Sequence, residues 1–334
     1  MAGSEADRNR HRDMNRQPIV ILDAATFGDA PLAIFAERWN CAIHQVTAPA
    51  DLRARLKARA VAITNKVPID RAVLASPEAR DLKLIVVAAT GTDIIDRDAA
   101  KEFGVRVCNV PGYAAQSVAQ FTIALMLELA TRVGKYAESV RSGRWQQSPI
   151  FTVLDYPTIE LSGKKLGVVG YGNIGRIVAR IARSLGLEIM IAARAGAPPP
   201  PERVPLESLL AAADIVTLHC PLTPETKNLI DERRLSLMKP GAFLINTARG
   251  ALVDEAALIR ALRARRLGGA ALDVISSEPP PAGHPIIEAA RELENLVVTP
   301  HTAWSARESR ERLLDEVAGN IEAFFAGTPR NVVV

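Results

Sequence analysis

The stretch Lys164-Lys165-Leu166-Gly167-Val168-Val169-Gly170-Tyr171-Gly172-Asn173-Ile174-Gly175 constrains the fold of this chain more than any other. Leu166 to Val169 is a short apolar run with β-branched residues. Beyond Gly175, the apolar residues Ile177, Val178, Ile181 and Leu185 recur at helical spacing. The segment reads as strand, tight turn and helix. Gly170 permits the turn, Gly172 lets the backbone come close to a pyrophosphate, and Gly175 allows the helix to pack against the strand. The helix N-terminus then offers free N–H groups to phosphates. A bare G-x-G-x-x-G arises by chance in glycine-rich loops, but between this strand and this helix it predicts a dinucleotide-binding unit.

The end of the next strand, Glu188 to Ala193, discriminates between dinucleotides. An acidic residue about 20 positions beyond the motif binds the ribose 2′-OH of NAD. Here that position holds Ala193, followed by Arg194, and no acid occurs until Glu202. An arginine suits a 2′-phosphate and the missing carboxylate removes a repulsion, so NADP is the preferred cofactor over NAD. The alternative is an ordinary solvated arginine beside a loop.

Three further strand ends carry candidate chemistry. Ala242 to Gly250 runs from an apolar strand into a turn bearing Arg249. Ala270 to Val274 is another strand ending, with Asp273 at its tip and Glu278 in the loop beyond. Asn295 to His301 is a third. In parallel α/β sheets ligands bind at the carboxyl ends of strands. A cation to hold a substrate carboxylate, an imidazole to give a proton to a carbonyl oxygen, and a carboxylate to keep that imidazole charged are what hydride transfer to a 2-keto acid requires. Singly, each has a plainer reading: Arg249 as a surface residue, His301 as a hydrogen-bonded structural histidine, Glu278 as a solvated loop acid. Together, in order and behind the glycine turn, they point to a catalytic site.

At this point the chain resembles the D-isomer-specific 2-hydroxyacid dehydrogenases. The matching stretches are Val168 to Gly175, Leu218 to Thr226, Ile245 to Gly250, Ala270 to Pro279 and Thr299 to Trp304. The likeness spans nearly everything from Ile19 to Val334. It is strongest to the glycerate dehydrogenase (hydroxypyruvate or glyoxylate reductase) branch, through Thr64 to Pro68, Asn109 to Tyr113, Pro300 to Trp304 and the stretch from Gly143 through Leu161.

The resemblance implies that Arg249 holds the substrate carboxylate and keto oxygen. It implies that His301 is general acid in reduction and base in oxidation, and that Glu278 pairs with it. The backbone around Thr90 and Gly91 would receive the carboxylate from the other domain. Asn173 and Ile174 would contact the pyrophosphate, and Pro221, Thr226, Thr247 and Asp273 would line the ribose and nicotinamide pocket. Asp273 has two readings, orienting the nicotinamide or tying down a loop. Two rivals share the fold: a formate-dehydrogenase-type enzyme, whose branch pairs its histidine with glutamine, and a dinucleotide-sensing interaction protein of the corepressor kind. Glu278 argues against the first.

At 334 residues, nearly half of them apolar, the chain predicts two domains. The expected architecture is α/β, with two doubly wound parallel-sheet domains: a Rossmann-type cofactor domain and a flavodoxin-like substrate domain. The boundaries fall at 18–114 with 304–334 for the substrate domain and 115–303 for the dinucleotide-binding domain. Strands are expected at Ile19–Asp23, Ala42–Val46, Ala60–Thr64, Leu84–Ala88 and Val105–Cys108, and helices at Pro31–Trp39 and Asp51–Ala58. A long helix should run from about Ala115 to Ser142, and a last one from about Ala306 to Ala326 should return to the first domain. Crossings near Ala115 and at Ala303-Trp304 suggest a hinge, with a substrate cleft closing between the domains.

Residues 1–17 carry mixed charge without an apolar pattern and read as a disordered lead-in, with Met14 a possible second start. No run long enough to span a membrane is present. The net charge of +4 is scattered and no basic–aromatic platform for nucleic acid occurs. The three isolated cysteines suit a reducing cytoplasm, and no ligand spacing suggests a metal. Phe151, Leu154 and Tyr156, with two prolines nearby, look like exposed apolar surface that needs a partner, and a homodimer is the expected assembly.

Overall fold

A computed structural model describes residues 17–194 and 202–334. All but Gln17 of the expected lead-in, and the proline-rich stretch Ala197 to Pro201, lie outside the described residues. The chain packs as two compact units, one running to Ala114 and resuming from Ser305 to Val334, the other Ala115–Trp304.

The first unit is built on five parallel strands: β1 (Pro18–Ile21), β2 (Asn40–Ile43), β3 (Val61–Thr64), β4 (Leu84–Val87) and β5 (Arg106–Cys108). Their order is β2-β1-β3-β4-β5, the flavodoxin-like arrangement, as the alternating pattern predicts. β3 and β4 are buried on both faces, which is why Val-Ala-Ile-Thr and Leu-Ile-Val-Val read as unbroken runs without alternation. The helix Arg307–Phe325 packs on this unit, with Arg310 donating to the carbonyl of Phe27 at 2.7 Å.

Two local expectations change. β2 lies earlier than Ala42–Val46, because its register with β1 ends at Ile21 opposite Ile43. Beyond that pairing the chain departs, leaving Val46 70% exposed. The C-terminus also takes a role that no sequence pattern marks. Val333 donates to the carbonyl of Val107 at 2.9 Å and Val332 bridges Cys108 antiparallel, so the tail covers the edge of β5.

Asp23, just past β1, is the polar centre of this unit. Only 5% exposed, its carboxylate accepts from the backbone N–H groups of Asn65 (3.0 Å), Lys66 (2.6 Å) and Val67 (3.3 Å). Burial raises its carboxyl above the ordinary range despite those three donors.

The second unit holds six parallel strands: β6 (Lys165–Val169), β7 (Glu188–Ile191), β8 (Ile215–Leu218), β9 (Phe243–Asn246), β10 (Gly269–Leu272) and β11 (Leu296–Val298). Their order is β11-β10-β9-β8-β6-β7, and a parallel bridge from Ala192 to Val204 adds a vestigial seventh position beyond β7. The chain thus winds one way from β6 to β7 and the other way from β8 onward. The reversal places a crevice at the carboxyl ends of β6 and β8, the Rossmann switch point.

The single long helix expected from Ala115 to Ser142 is instead two helices, Ala115–Thr131 and Val133–Arg141. They break at Arg132, whose φ of 56° is left-handed. Such a conformation costs roughly 1–2 kcal/mol for a residue with a Cβ. It is offset by the Arg132 guanidinium, which donates to the carbonyl of Glu294, and by the Glu128 carboxylate, which accepts from the N–H of Gly134. Helical spacing continues across this break, so periodicity alone does not reveal it.

Between Gly143 and Ile159 the chain is held by its own bonds. Trp145 Nε1 donates to the carbonyl of Phe151, Arg144 pairs with Asp155 through two bonds, and Tyr136 meets Tyr156 edge to face. Phe151 and Leu154 nevertheless stand 90% and 77% exposed.

Replacing Asp23 with alanine removes the acceptor shared by the N–H groups of Asn65 and Lys66, while that of Val67 keeps Thr64 Oγ1 at 3.0 Å. Each unpaired buried donor costs roughly 1–3 kcal/mol, so Asp23→Ala should lower the Tm by several degrees, as differential scanning calorimetry would record. A Tm within error of the unmodified protein would show that the loop after β3 is held by other contacts.

Candidate active site

The glycine turn is shaped by steric necessity. Gly170 has φ 96°, and a Cβ there would lie 2.5 Å from both the carbonyl carbon of His219 and the nitrogen of Cys220, in the loop after β8. A Cβ on Gly175 would lie 2.1 Å from the carbonyl oxygen of Gly170. These two glycines close the turn against β8 and seat the helix Asn173–Ser184 on the turn itself. Gly172 differs, because a Cβ there would meet nothing within 4 Å. It is the helix N-cap and brings no side-chain cap to the first N–H groups. An open space over an uncapped helix N-terminus at Asn173 and Ile174 fits a pyrophosphate.

His219 borders this turn. Its Nε2 lies 3.0 Å from Thr217 Oγ1, and burial pushes the imidazole down to about 3, so it stays neutral at working pH. The next loop is knitted by Thr226, whose hydroxyl donates to the carbonyl of Pro221 at 2.8 Å and accepts from Thr223 N–H at 2.7 Å. At the end of β7, Ala193 N–H donates to the carbonyl of Val204 across the bridge and Arg194 is exposed.

β9, β10 and β11 are neighbours and parallel, so Arg249, Glu278 and His301 emerge at one rim. Past β9, the Asn246 side chain braces the turn: its amide donates to the carbonyl of Arg249 and its oxygen accepts from Ala248 N–H. Thr247 is buried and shares a 2.9 Å hydroxyl contact with Thr122 on the helix Ala115–Thr131. Arg249 is half-buried, and Gly250 beside it meets the β10 loop so closely that a Cβ would lie 1.9 Å from the carbonyl carbon of Ile275.

Asp273, 1% exposed, organises the loop after β11. One carboxylate oxygen accepts from Thr299 Oγ1 (2.6 Å) and Thr302 N–H (2.9 Å), and the other from Ala303 N–H (2.8 Å). Its backbone carbonyl accepts from the N–H of His301 at 2.8 Å. These bonds tie the loop after β11 to the end of β10. His301 is held in the left-handed region at φ 52°. Its Nδ1 faces Glu278 Oε2 at 2.5 Å, with 29% and 31% of the two side chains exposed. Glu278 Oε1 in turn accepts from Ile275 N–H at 2.9 Å. Nδ1 being engaged by a carboxylate, Nε2 is the ring atom left to exchange a proton with a bound molecule.

Thr90 and Gly91 belong to the first unit, in the loop after β4. There Thr90 Oγ1 donates to the carbonyl of Val110, and the Asn109 amide donates to the carbonyl of Thr90. Sequence reasoning passed over Asn246, Thr122, Gly250 and His219. Asn246, Gly250 and His219 stand within the matching stretches; Asn246 braces its own turn, and Gly250 meets the loop after β10, a contact that spacing along one strand cannot reveal. Among the described residues, no group of three or more His, Cys, Asp or Glu side chains could hold a metal ion, and no helix is long and apolar enough to cross a membrane.

The family model for the D-isomer specific 2-hydroxyacid dehydrogenase NAD binding domain matches residues 123–303. Glycerate dehydrogenase of Methylorubrum extorquens is 44% identical over 285 residues, covering 85% of this chain and 88% of that protein. Hydroxypyruvate reductase of Blautia hydrogenotrophica is 36% identical over 325 residues, covering 94% and 99%. The crystal structure of TT0316 protein from Thermus thermophilus aligns with a TM-score of 0.83 at 38% identity, covering 96% of this chain and all of that one. Fold and site thus define a nicotinamide-dinucleotide oxidoreductase with two parallel-sheet units. The chain belongs to the D-isomer-specific 2-hydroxyacid dehydrogenase family, on the side of the glycerate dehydrogenases and hydroxypyruvate reductases that its motifs resemble.

Because a Cβ on Gly175 collides with the turn backbone, Gly175→Ala should weaken dinucleotide binding without unfolding the protein. Overpacking of this kind costs about 1–3 kcal/mol, which corresponds to roughly five- to a hundredfold in affinity. Titration by nicotinamide fluorescence, with circular dichroism as the control for folding, would measure it. Unchanged affinity would place the phosphates away from this turn.

Proposed function

We propose that this enzyme reduces a small 2-keto acid, hydroxypyruvate or glyoxylate, to the D-2-hydroxy acid and catalyses the reverse, with NADPH preferred over NADH. The observation that carries the reading is the His301–Glu278 pair, Nδ1 to Oε2 at 2.5 Å, on the same sheet rim as Arg249. The names of the glycerate dehydrogenase and hydroxypyruvate reductase relatives support the substrate class.

Arg249 is the proposed grip on the substrate carboxylate and keto oxygen. The backbone around Thr90 and Gly91 is the proposed second grip on the carboxylate. Gly170, Gly172 and Gly175, with Asn173 and Ile174 at the pyrophosphate and Pro221, Thr226, Thr247 and Asp273 around ribose and nicotinamide, would hold the reduced cofactor, which would supply the hydride. His301 gives its Nε2 proton to the keto oxygen as charge develops there and recovers it in oxidation. Glu278, facing Nδ1, fixes which ring nitrogen faces the substrate.

The preference for NADPH is supported by Ala193 and the exposed Arg194 at the end of β7. An arginine–phosphate bond contributes roughly 1.5–3 kcal/mol, about ten- to a hundredfold in discrimination. Initial rates for a panel of 2-keto acids, each with NADPH and NADH, test substrate and cofactor together. Hydroxypyruvate or glyoxylate should give the highest kcat/KM, NADPH should exceed NADH, and Ala193→Asp with Arg194→Ala should reverse the cofactor order. Equal or better kcat/KM with NADH in the unmodified enzyme would overturn the cofactor assignment, and no turnover of any 2-keto acid would overturn the function.

The assembly proposed is a homodimer. It is supported by the stretch from Gly143 to Ile159, bonded within itself yet presenting Trp145, Phe151 and Leu154 outward. Sedimentation equilibrium should give twice the chain mass, and Phe151→Asp with Leu154→Asp should give the monomer. A monomeric unmodified protein would reject the proposal.

A further inference from the structure

Glu278 meets His301 only if the loop between Leu272 and His284 holds one shape, and the reference point for that shape is the backbone at Ile275 and Ser276. Glu278 Oε1 is oriented by the N–H of Ile275 at 2.9 Å, which turns Oε2 toward the imidazole. The Ile275 backbone is pressed from one side by Gly250, where any side chain would collide with it. The adjoining residue is clamped by Glu255, whose Oε1 accepts from Ser276 N–H at 2.6 Å and whose Oε2 accepts from Ser276 Oγ at 2.9 Å.

Glu255 is itself well fixed. It is the first residue of the helix Glu255–Arg263, capped by Asp254, which accepts from Ala257 N–H at 3.0 Å. A carboxylate there is favoured by the helix dipole. Its side chain is 13% exposed, and His284 Nε2, itself 7% exposed, stands 3.8 Å from Oε2. Glu255 also follows Arg249 by six residues through the short turn Gly250–Leu252, so one carboxylate ties the Arg249 segment to the Glu278 segment.

From this geometry we infer that Glu255 is a positioning residue, acting through Ser276 and Ile275 to set the Glu278 carboxylate against His301. The inference rests on the proposed roles of His301 and Glu278. Misplacing an oriented group by about an ångström costs roughly a hundredfold in rate at most sites where it matters. Glu255→Ala should therefore lower kcat for keto-acid reduction by roughly ten- to a hundredfold. NADPH affinity should hold, and Glu255→Gln, which keeps one acceptor for Ser276 N–H, should recover most of the loss. Ser276→Ala removes one of the two bonds and should give a smaller loss in the same direction, which keeps the test available if Glu255→Ala folds poorly.

A double-mutant cycle separates positioning from general stability. In a Glu278→Gln background, Glu255→Ala should cost less than about threefold, because its effect passes through a group already disabled. Losses that multiply in the double variant, or a Glu255→Ala enzyme with unmodified kcat, would overturn the inference while leaving the pair intact. A Glu278→Gln enzyme with unmodified kcat would overturn both, and that single variant identifies which reading failed.

Discussion

The site depends first on the buried carboxylate of Asp273. It sits at the end of β10 but its partners are on the loop after β11: Thr299, Thr302 and Ala303. Burying such a group without hydrogen bonds would cost several kcal/mol, so the loop must bring its donors to it. The consequence is a fixed path for residues 299 to 303. His301 is forced into a left-handed backbone conformation in the middle of that path, a conformation that costs an ordinary residue roughly 1–3 kcal/mol unless its surroundings impose it. Here they do, since His301 N–H bonds the carbonyl of Asp273 and Trp304 Nε1 bonds the carbonyl of His301.

The first unit uses the same device. Asp23, past β1, accepts the N–H groups of the loop after β3, its neighbour in the sheet. In both units a parallel strand ends in a buried aspartate that captures the loop of the adjacent strand. Parallel strands favour this device, because all their carboxyl ends lie on one edge and loop N–H groups there lack ladder partners. Glycines do the complementary work where backbones must touch, Gly170 on the loop after β8 and Gly250 on the loop after β10. Carboxylates draw loops together and missing side chains let them meet.

Much of the fold and part of the site were legible in the sequence for physical reasons. β3, β4 and β9 are buried on both faces and so appear as largely apolar runs without alternation. The glycine turn is legible because a tight turn, a close phosphate and a close helix each demand a residue without a Cβ. What stayed hidden has its cause in contacts between distant segments. The break at Arg132 depends on the carbonyl of Glu294, 162 residues on. The covering of β5 by Val332 to Val334 pairs segments far apart in the chain, invisible to local patterning. The brace of Asn246 lies inside a stretch that attracts attention for Arg249, and the clamp of Glu255 joins two segments 21 residues apart. Asp273 was legible as a strand-end acid that either orients the nicotinamide or ties down a loop, but the loop it bonds, 26 residues later, was not.

The His301–Glu278 pair itself is less protected than the scaffold that presents it. Nearly a third of each side chain is exposed, and at such exposure solvent screening leaves an ion pair roughly 0–1 kcal/mol of net attraction. That is too little to organise two loops from different strands. The short contact is therefore a result of the scaffold and not its cause: Asp273 fixes the histidine, Ile275 N–H fixes the glutamate, and the two arrive already aligned. Such an arrangement suits the proton-exchanging role we propose for His301, in which the imidazole would change charge during turnover. A pair assembled by its own attraction would loosen each time the imidazole gave up its proton. A pair assembled by backbone tethers keeps its geometry in both protonation states, which is what running the same reaction in either direction demands.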